Sequence, residues 1–188
     1  MTECTWPSSD LMKVYHEKEW CRINKDDQYI FEMLSLEGAQ AGLSWETVIQ
    51  KRHAYQEAFK QFDIEKCAQL TDDELEEIRT EYNVIKHKGK IKSVRNNALL
   101  VQNIQQQYGS LANFLWSYVE GKPIINEWHN TTDIPAETEL SIKLSKDLKK
   151  IGFNFVGPKI VYSFLQSIGI IDDHIITCPY HSYWTVYT

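Results

Sequence analysis

A glutamate on an otherwise apolar stretch is the first residue that asks for a chemical reason. The run Leu36-Glu37-Gly38-Ala39-Gln40-Ala41-Gly42-Leu43-Ser44-Trp45 holds a carboxylate, two glycines and a tryptophan between two predicted helices. Burying that carboxylate without a partner is costly. Set beside Trp45, with Trp6 and Tyr15 also available, it suits a flat, positively charged guest. The aromatic faces attract the cationic ring and the carboxylate balances its charge. A helix-terminal glutamate and a core tryptophan is the other reading of the same residues.

Two further sets carry chemistry. Cys4 and His16 lie near one end of the chain, His174 and Cys178 near the other. His174 and Cys178 are four apart and share a face if that segment is helical. Together the four offer a tetrahedral Cys2His2 donor set, the kind that closes structural sites. A core histidine and a loose surface thiol are the alternatives for His16 and Cys4. The other set spans 146–173. A basic helix ends at Gly152, a short hairpin Phe153-Asn-Phe-Val-Gly157 follows, and a second helix opens at Pro158. The first amides of that helix lack internal partners and the dipole there is positive. Gly157 leaves room for a phosphate, and Lys149, Lys150 and Lys159 surround the opening. The pattern suits a backbone grip on DNA that reads no sequence, or an ordinary helix pair with a glycine turn.

The elements that must position these residues are helical nearly throughout, giving an all-α chain. Asp10 is a candidate cap for a short helix through Trp20; further helices are predicted from about Asp26 to Gln40 and from a Ser44 cap through Phe59. Thr71-Asp-Asp-Glu74 is a capping box. Further helices are expected over 90–108 ended by Gly109, over 110–120, over 139–151 and from Pro158 to about Ile168. Residues 122–137 read as the longest loop, and no segment shows sustained strand alternation. An aromatic tail runs from Tyr180 to Tyr187.

The chain has 188 residues, 43% of them apolar, enough for one unit over 1–188 with a buried core. It has no apolar run long enough to span a membrane and does not open like a secretory signal, so a cytoplasmic protein with no membrane partner is expected. Four cysteines in that setting are reduced or metal-bound rather than paired. The net charge of −6 argues against a general nucleic-acid binder, but it is local. Residues 63–81 hold eight acids against Lys66 and Arg79. Two basic stretches remain: 86–95, with four lysines, Arg95 and no acid, and 143–159, with five lysines against Asp147. Solvated helix faces would account for either one.

Taken together, the motifs resemble the 3-methyladenine DNA glycosylase I family over nearly the whole chain. They are Cys4-Thr-Trp6, Tyr15-His16, Glu19-Trp20, Leu36 to Trp45, His87-Lys-Gly-Lys-Ile91 and Phe114-Leu-Trp-Ser-Tyr118. Leu144 to Lys150, Gly152 to Gly157 and Asp173-His174 complete the series in order. The resemblance implies a helix–hairpin–helix DNA glycosylase fold. It further implies one structural Zn2+ per chain, held by Cys4, His16, His174 and Cys178, joining a terminal region (about 1–20 and 170–188) to the rest. The helix–hairpin–helix module would occupy about 140–170. Glu37 and Tyr15 map to base-contacting catalytic groups, Trp45 and Trp6 to aromatic walls, and Gln40, Gly42 and Leu43 to the loop that fills the duplex. The implied partner is double-stranded alkylated DNA, acted on by a monomer that extrudes 3-methyladenine, hydrolyses its glycosidic bond and leaves an abasic site without strand cleavage.

The chain departs from the family in two places. Met12 stands nearest the position of a usual aromatic, which would soften one pocket wall with sulfur. Cys21 replaces a usual glycine after Trp20, altering a turn or adding a thiol near the metal. Asp172 sits where related helix–hairpin–helix glycosylases keep a catalytic aspartate; it could also cap a helix or support His174 behind the metal. A catalytically silent helix–hairpin–helix DNA-binding protein, or a structural zinc protein with a protein partner, are the competing functions.

Overall fold

Residues 30–39 are buried without interruption, so the helix that carries them is central rather than amphipathic. In the computed structural model, which describes residues 3–182, this helix is α2, Asp27–Gln40. Before it lies α1, Asp10–Lys18. After it come α3 (Trp45–Ile49), α4 (Arg52–Ala58), α5 (Ile64–Ala68), α6 (Asp72–Glu81), α7 (Lys88–Tyr108) and α8 (Leu111–Trp116). A loop with a two-residue strand, β1 (Ile124–Ile125), leads to α9 (Glu139–Ile151) and α10 (Pro158–Ser167), then β2 (Ile171–Asp172). Among the described residues no helix is long and apolar enough to cross a membrane. The aromatic tail from Tyr183 onward lies outside the described residues.

The termini follow local chemistry. Asp26 accepts from the Tyr29 amide (2.8 Å) and starts α2. Ser44 accepts from the Thr47 amide (3.2 Å) and starts α3. Thr71 and Glu74 form the reciprocal capping box of α6. Gly109 ends α7 at φ 84°, a backbone state that carries little penalty for glycine. Asp27 bonds outward instead of along its own helix. Its carboxylate accepts from the Leu111 and Ala112 amides at 2.8 and 2.9 Å, so the base of α2 caps α8.

Four expectations change. The α1 cap is Ser9 rather than Asp10, and the helix stops at Lys18 rather than Trp20. The helix expected through Phe59 breaks at Lys51, where ψ is 0°, into α3 and α4. Helix α7 starts at Lys88 with His87 as cap. And β1 pairs in parallel with β2, Ile124 opposite Ile171, continued by a bridge from Trp128 to Ile175. Two-residue strands leave no alternation for a sequence to show. That ladder ties the 122–137 loop to the segment bearing His174.

Helix α2 packs against α10, α7, α8 and α3, and α9 lies against α10. Gly152 (φ 117°) and Phe155 (φ 57°) shape the hairpin between α9 and α10. A Cβ on Gly38 would come 3.3 Å from Cβ of Phe155, so the hairpin sits directly on the last turns of α2.

Candidate active site and the cluster behind it

The C-terminal turns of α2 open into a cavity of about 400 Å³. Tyr15 of α1, Glu37 and Gln40 of α2 and Trp45 of α3 line one side, with Trp6 and Trp20 from the N-terminal region. Tyr162, Ser163 and Gln166 of α10 line the other, with Lys159 exposed among them. Thr131, Ile134, Pro135 and Ala136 of the long loop complete the wall. The aromatic rings form one connected set. Tyr15 and Trp45 have centroids 5.2 Å apart, Trp6 and Tyr15 6.4 Å, and Trp6 and Trp20 5.0 Å.

Glu37 is 3% exposed, and its Oε2 is buried without a hydrogen-bond partner. Burial alone pushes its carboxyl up to about 8. The neighbouring Tyr15 hydroxyl is held well above its usual range, first by burial and then by Glu37. The indole Nε1 atoms of Trp6 and Trp45 are likewise buried and unpartnered. A cavity with flat aromatic walls, spare buried donors and one uncompensated carboxyl is matched to a planar cation.

The loop after α2 is a tight turn. The Leu43 amide donates to the Gln40 carbonyl at 2.6 Å, and Gly42 takes φ 78° with open space before it. Leu43 at its tip is 43% exposed. Gly157, at the mouth of α10, also has nothing within 4 Å of a built Cβ. Lys149 and Lys150 are exposed on the last turn of α9.

Behind the aromatic walls lies a buried cluster of possible metal ligands. The Cys4, His16 and Cys178 ligand atoms all lie within 4.8 Å of one another. Cys178 Sγ is 3.8 Å from His16 Nε2. The Cys4 and Cys178 thiols hydrogen-bond to each other. That bond holds Cys178 down toward thiolate with help from His16, and raises Cys4 together with burial. His174 adjoins this group, its ring 4.8 Å from that of His16. Its Nδ1 pairs with Asp172 Oδ1 at 2.8 Å, and its Nε2 is buried with no hydrogen-bond partner. That bond fixes the ring so that Nε2 is the nitrogen left to bind something else. The segment bearing His174 and Cys178 is not helical; a bridge at Ile175 and a turn from the Ile175 carbonyl to the Cys178 amide (2.8 Å) position them. Buried thiols and imidazoles are the donor chemistry of structural zinc sites, and Cys4, His16 and Cys178 already lie within reach of one ion. The cluster and the cavity share their partition: Trp6 contacts His16 edge-on at 5.4 Å, and Trp20 contacts His174 at 4.8 Å.

Three candidates stand elsewhere than expected. Met12 is buried, takes a hydrogen bond from Ser8 on its sulfur (3.4 Å), and is not among the cavity-lining residues. The expected sulfur wall is therefore absent from the cavity lining. Asp172 does not line the cavity either. Burial would raise its carboxyl, but bonds from His174 and Ser182 outweigh that and bring it to about 2. Its place is behind His174. Cys21 leaves the turn intact: it takes φ 61°, the state a glycine would prefer, and its sulfur accepts from the Asp173 amide at 3.3 Å. It groups with Asp172 and His174, a thiol beside one of the expected metal ligands.

Sequence reasoning missed Trp20, Tyr162, Gln166 and the 131–136 wall. Asp173, fully buried, ties the long loop to α10. It accepts from Asn126 (2.7 Å) and Trp128 (2.6 Å) of the long loop, and from Gln166 (2.7 Å) and Tyr162 of α10. The one signal was a pair of polar residues, Tyr162 and Gln166, four apart on an apolar helix.

Comparison with known proteins agrees with this geometry. The family model described as Methyladenine glycosylase matches residues 5–181. The DNA-3-methyladenine glycosylase of Haemophilus influenzae is 40% identical over 179 residues, 95% of this chain and 97% of that one. DNA-3-methyladenine glycosylase 1 of Escherichia coli is also 40% identical, over 95% and 96% of the two chains. Among solved structures, the Staphylococcus aureus 3-methyladenine DNA glycosylase I, studied for its recognition of 3-methyladenine, superposes with a TM-score of 0.90. It is 38% identical and covers 93% of each chain.

Proposed function

This chain belongs to the methyladenine glycosylase family, and on that premise we propose how its cavity works. It is a DNA-3-methyladenine glycosylase, a hydrolase of base-excision repair. The observation that carries the reading is Glu37: a buried, unpartnered carboxyl at the end of an aromatic cavity. Methylation at N3 makes adenine a cation and weakens its glycosidic bond. Extruding the nucleotide from the stack costs a few kcal/mol by typical estimates. Once inside, the cationic base lies against Trp45 and Trp6, Tyr15 orients it, and its charge restores the Glu37 carboxylate. Normal adenine brings no charge to offset the burial of that carboxylate, so it is held less well. Water attacks the anomeric carbon; the electron pair of the broken bond leaves with the base as neutral 3-methyladenine, and an abasic site remains.

Gln40, Gly42 and Leu43 fill the gap in the duplex, a role suited to an exposed leucine on a glycine turn. Lys149, Lys150, Gly157 and Lys159 hold phosphates at the mouth of α10 in a helix–hairpin–helix module of about 140–170. Zn2+ is held by Cys4, His16, His174 and Cys178. The ion would supply a structural cross-link between the chain's two ends, not a reacting group. Asp172 orients His174 rather than acting on substrate. The unit spans 1–188 and works as a cytoplasmic monomer on double-stranded alkylated DNA.

Base release from methylated duplex DNA by the purified chain, with zinc and no other cofactor, separates this from a silent DNA-binding module. Glu37→Gln is expected to slow that release roughly tenfold to a hundredfold, from the loss of hydrogen bonds to a charged partner. Binding to abasic DNA is expected to stay within a factor of about two, because no abasic contact involves Glu37. Unchanged release would remove Glu37 from the mechanism. Metal analysis is expected to find about one zinc per chain for a four-ligand site, and a metal-free, fully stable protein would remove the cross-link.

A further inference from the structure

Helix α2 ends without the cation that a helix C-terminus favours: its last turn holds no basic residue. The cation comes instead from α7. Lys90 is buried, 9% exposed, and its Nζ donates to the Ala39 carbonyl at 2.9 Å and the Ala41 carbonyl at 2.6 Å. These carbonyls flank Gln40, where the turn to Leu43 begins. The ammonium therefore closes the helix end at the point where the exposed loop leaves it. It does so without pairing with Glu37, whose carboxyl is raised by burial alone. Helix α7 is anchored in turn to the hairpin after α9. Asn97 and Asn154 exchange two hydrogen bonds, at 3.3 and 3.1 Å, and His87 packs edge-on against Phe155 at 5.9 Å.

We propose that Lys90 is a positioning residue for base extrusion: it clamps the end of α2 so that Gln40, Gly42 and Leu43 are presented to the duplex in fixed register with the phosphate-gripping hairpin. The proposal rests on the reading of 40–43 as the duplex-filling loop. A buried lysine is a costly way to end a helix, since Nζ loses its hydration and regains two carbonyls. Gly42 turns the chain beyond Gln40 at φ 78°, but that turn engages only the Gln40 carbonyl, through the Leu43 amide, and leaves the Ala39 and Ala41 carbonyls to Lys90. The lysine gives something a local cap does not, a rigid tie from this loop to α7 and through it to the hairpin.

The test uses Lys90→Met, which keeps most of the packing volume and removes the charge, and Lys90→Arg, which keeps the charge. Three readouts are compared in the zinc-loaded protein: release of 3-methyladenine from methylated duplex DNA, release from methylated single-stranded DNA, and affinity for free 3-methyladenine by tryptophan fluorescence. Lys90→Met is expected to lower duplex release about tenfold, from the loss of charge-assisted hydrogen bonds that hold the loop. Single-strand release and free-base affinity are expected to change by less than about threefold, since neither requires a gap in a duplex to be filled. Lys90→Arg is expected to recover most of the duplex rate. A parallel loss in all three readouts overturns the proposal, because it marks a merely structural lysine, and so does an unchanged duplex rate. If Lys90→Met does not fold, Lys90→Arg and Lys90→Gln carry the same comparison. Leu43→Ala separates the premise from the proposal. If Leu43→Ala leaves duplex release unchanged, the loop reading fails whatever Lys90 does; if it slows duplex release and Lys90→Met does not, the clamp alone fails.

Discussion

Glu32 and Glu37 sit five residues apart on the same buried helix and meet opposite fates. Glu32 is answered at Oε1, where Arg52 Nε donates at 2.7 Å and Gln56 at 2.8 Å. The same guanidinium reaches Glu19 at 2.8 Å, which also takes the Tyr29 hydroxyl at 3.1 Å. Glu37 has an unpartnered oxygen and a cavity. The basic stretches repeat the contrast. In 86–95, Lys86 bonds the Thr80 and Tyr82 carbonyls, Lys90 closes α2, and Arg95 bonds the Leu70 carbonyl and pairs with Asp72 at 2.7 Å. Lys88 and Lys92 line a groove with Asp72 and Glu76 of the acidic α6. In 143–159, Lys143 pairs with Asp147, while Lys149 and Lys150 extend from the surface. Charges that the fold answers internally hold it together, and charges it leaves unanswered mark where it meets something else.

The largest effect should come from making the answered carboxylate resemble the unanswered one. Arg52→Met leaves Glu32 and Glu19 facing each other with only neutral donors. Breaking a buried pair from one side costs about 3–5 kcal/mol, and the partial exposure of this one puts it near the lower figure. Urea denaturation should register that loss, while affinity for free 3-methyladenine in the folded fraction stays as it was. A loss below about 1 kcal/mol would mean that water, not Arg52, satisfies these acids.

The reverse operation, removing the unanswered charge, gives an effect of opposite sign that is smaller at mildly acidic pH and grows as pH rises. The Glu37 carboxyl is raised to about 8 in the folded chain from an ordinary value of 4.5. Below the ordinary value both states are protonated and the site costs nothing. Between the two values the unfolded chain has released a proton that the folded chain retains, so folding stability falls as pH rises. Above the folded value the penalty is constant. Glu37→Gln should therefore gain stability over the parent across that window, at up to roughly 1.4 kcal/mol per pH unit. Every other titrating group is common to both proteins and cancels in the difference. Denaturation curves at acidic, neutral and alkaline pH give the answer; a gap that does not grow with pH would show Glu37 to be solvated and the cavity argument unsound.

Much of this contrast was legible in the sequence, and the illegible part has one physical cause. Glu37, Tyr15, Trp6 and Trp45 could be picked out because a carboxylate in an apolar run beside aromatics is unusual in itself. The capping box at Thr71, the Ser44 cap and the glycine ends of α7 and α9 are local, and they appeared where local chemistry put them. Whether a charge is answered is not local. Nothing near Glu32 in sequence announces Arg52 twenty residues on, and nothing in the lysines of 86–95 announces the carbonyls of Ala39 and Ala41. The two basic stretches therefore looked alike. Asp173 is the clearest case: beside Asp172 and His174 it reads as one more acid, yet it ties the long loop, through residues 126 and 128, to the cavity-lining residues 162 and 166 of α10.

The smallest effect tests the contrast between the basic stretches directly. Each phosphate contact contributes about 0.9 to the slope of log affinity against log salt for duplex DNA. Replacing Lys149 and Lys150 with alanine removes two cations that the fold leaves unpaired, and should flatten that slope by about 1 to 2 units. The free-base affinity should not move, since neither residue lines the cavity. Replacing Lys86 and Lys88 removes the same formal charge from a stretch already matched by carbonyls and by α6. The slope should then stay within about half a unit of the parent, because those cations have no phosphate to exchange for counterions. Equal flattening by the two pairs would show that net charge alone governs DNA affinity, and the distinction between answered and unanswered charges would lose its functional meaning. A change only with Lys149 and Lys150 ties the phosphate grip to the end of α9, on the same side of the molecule as the hairpin that rests on Gly38 and the helix that carries Glu37.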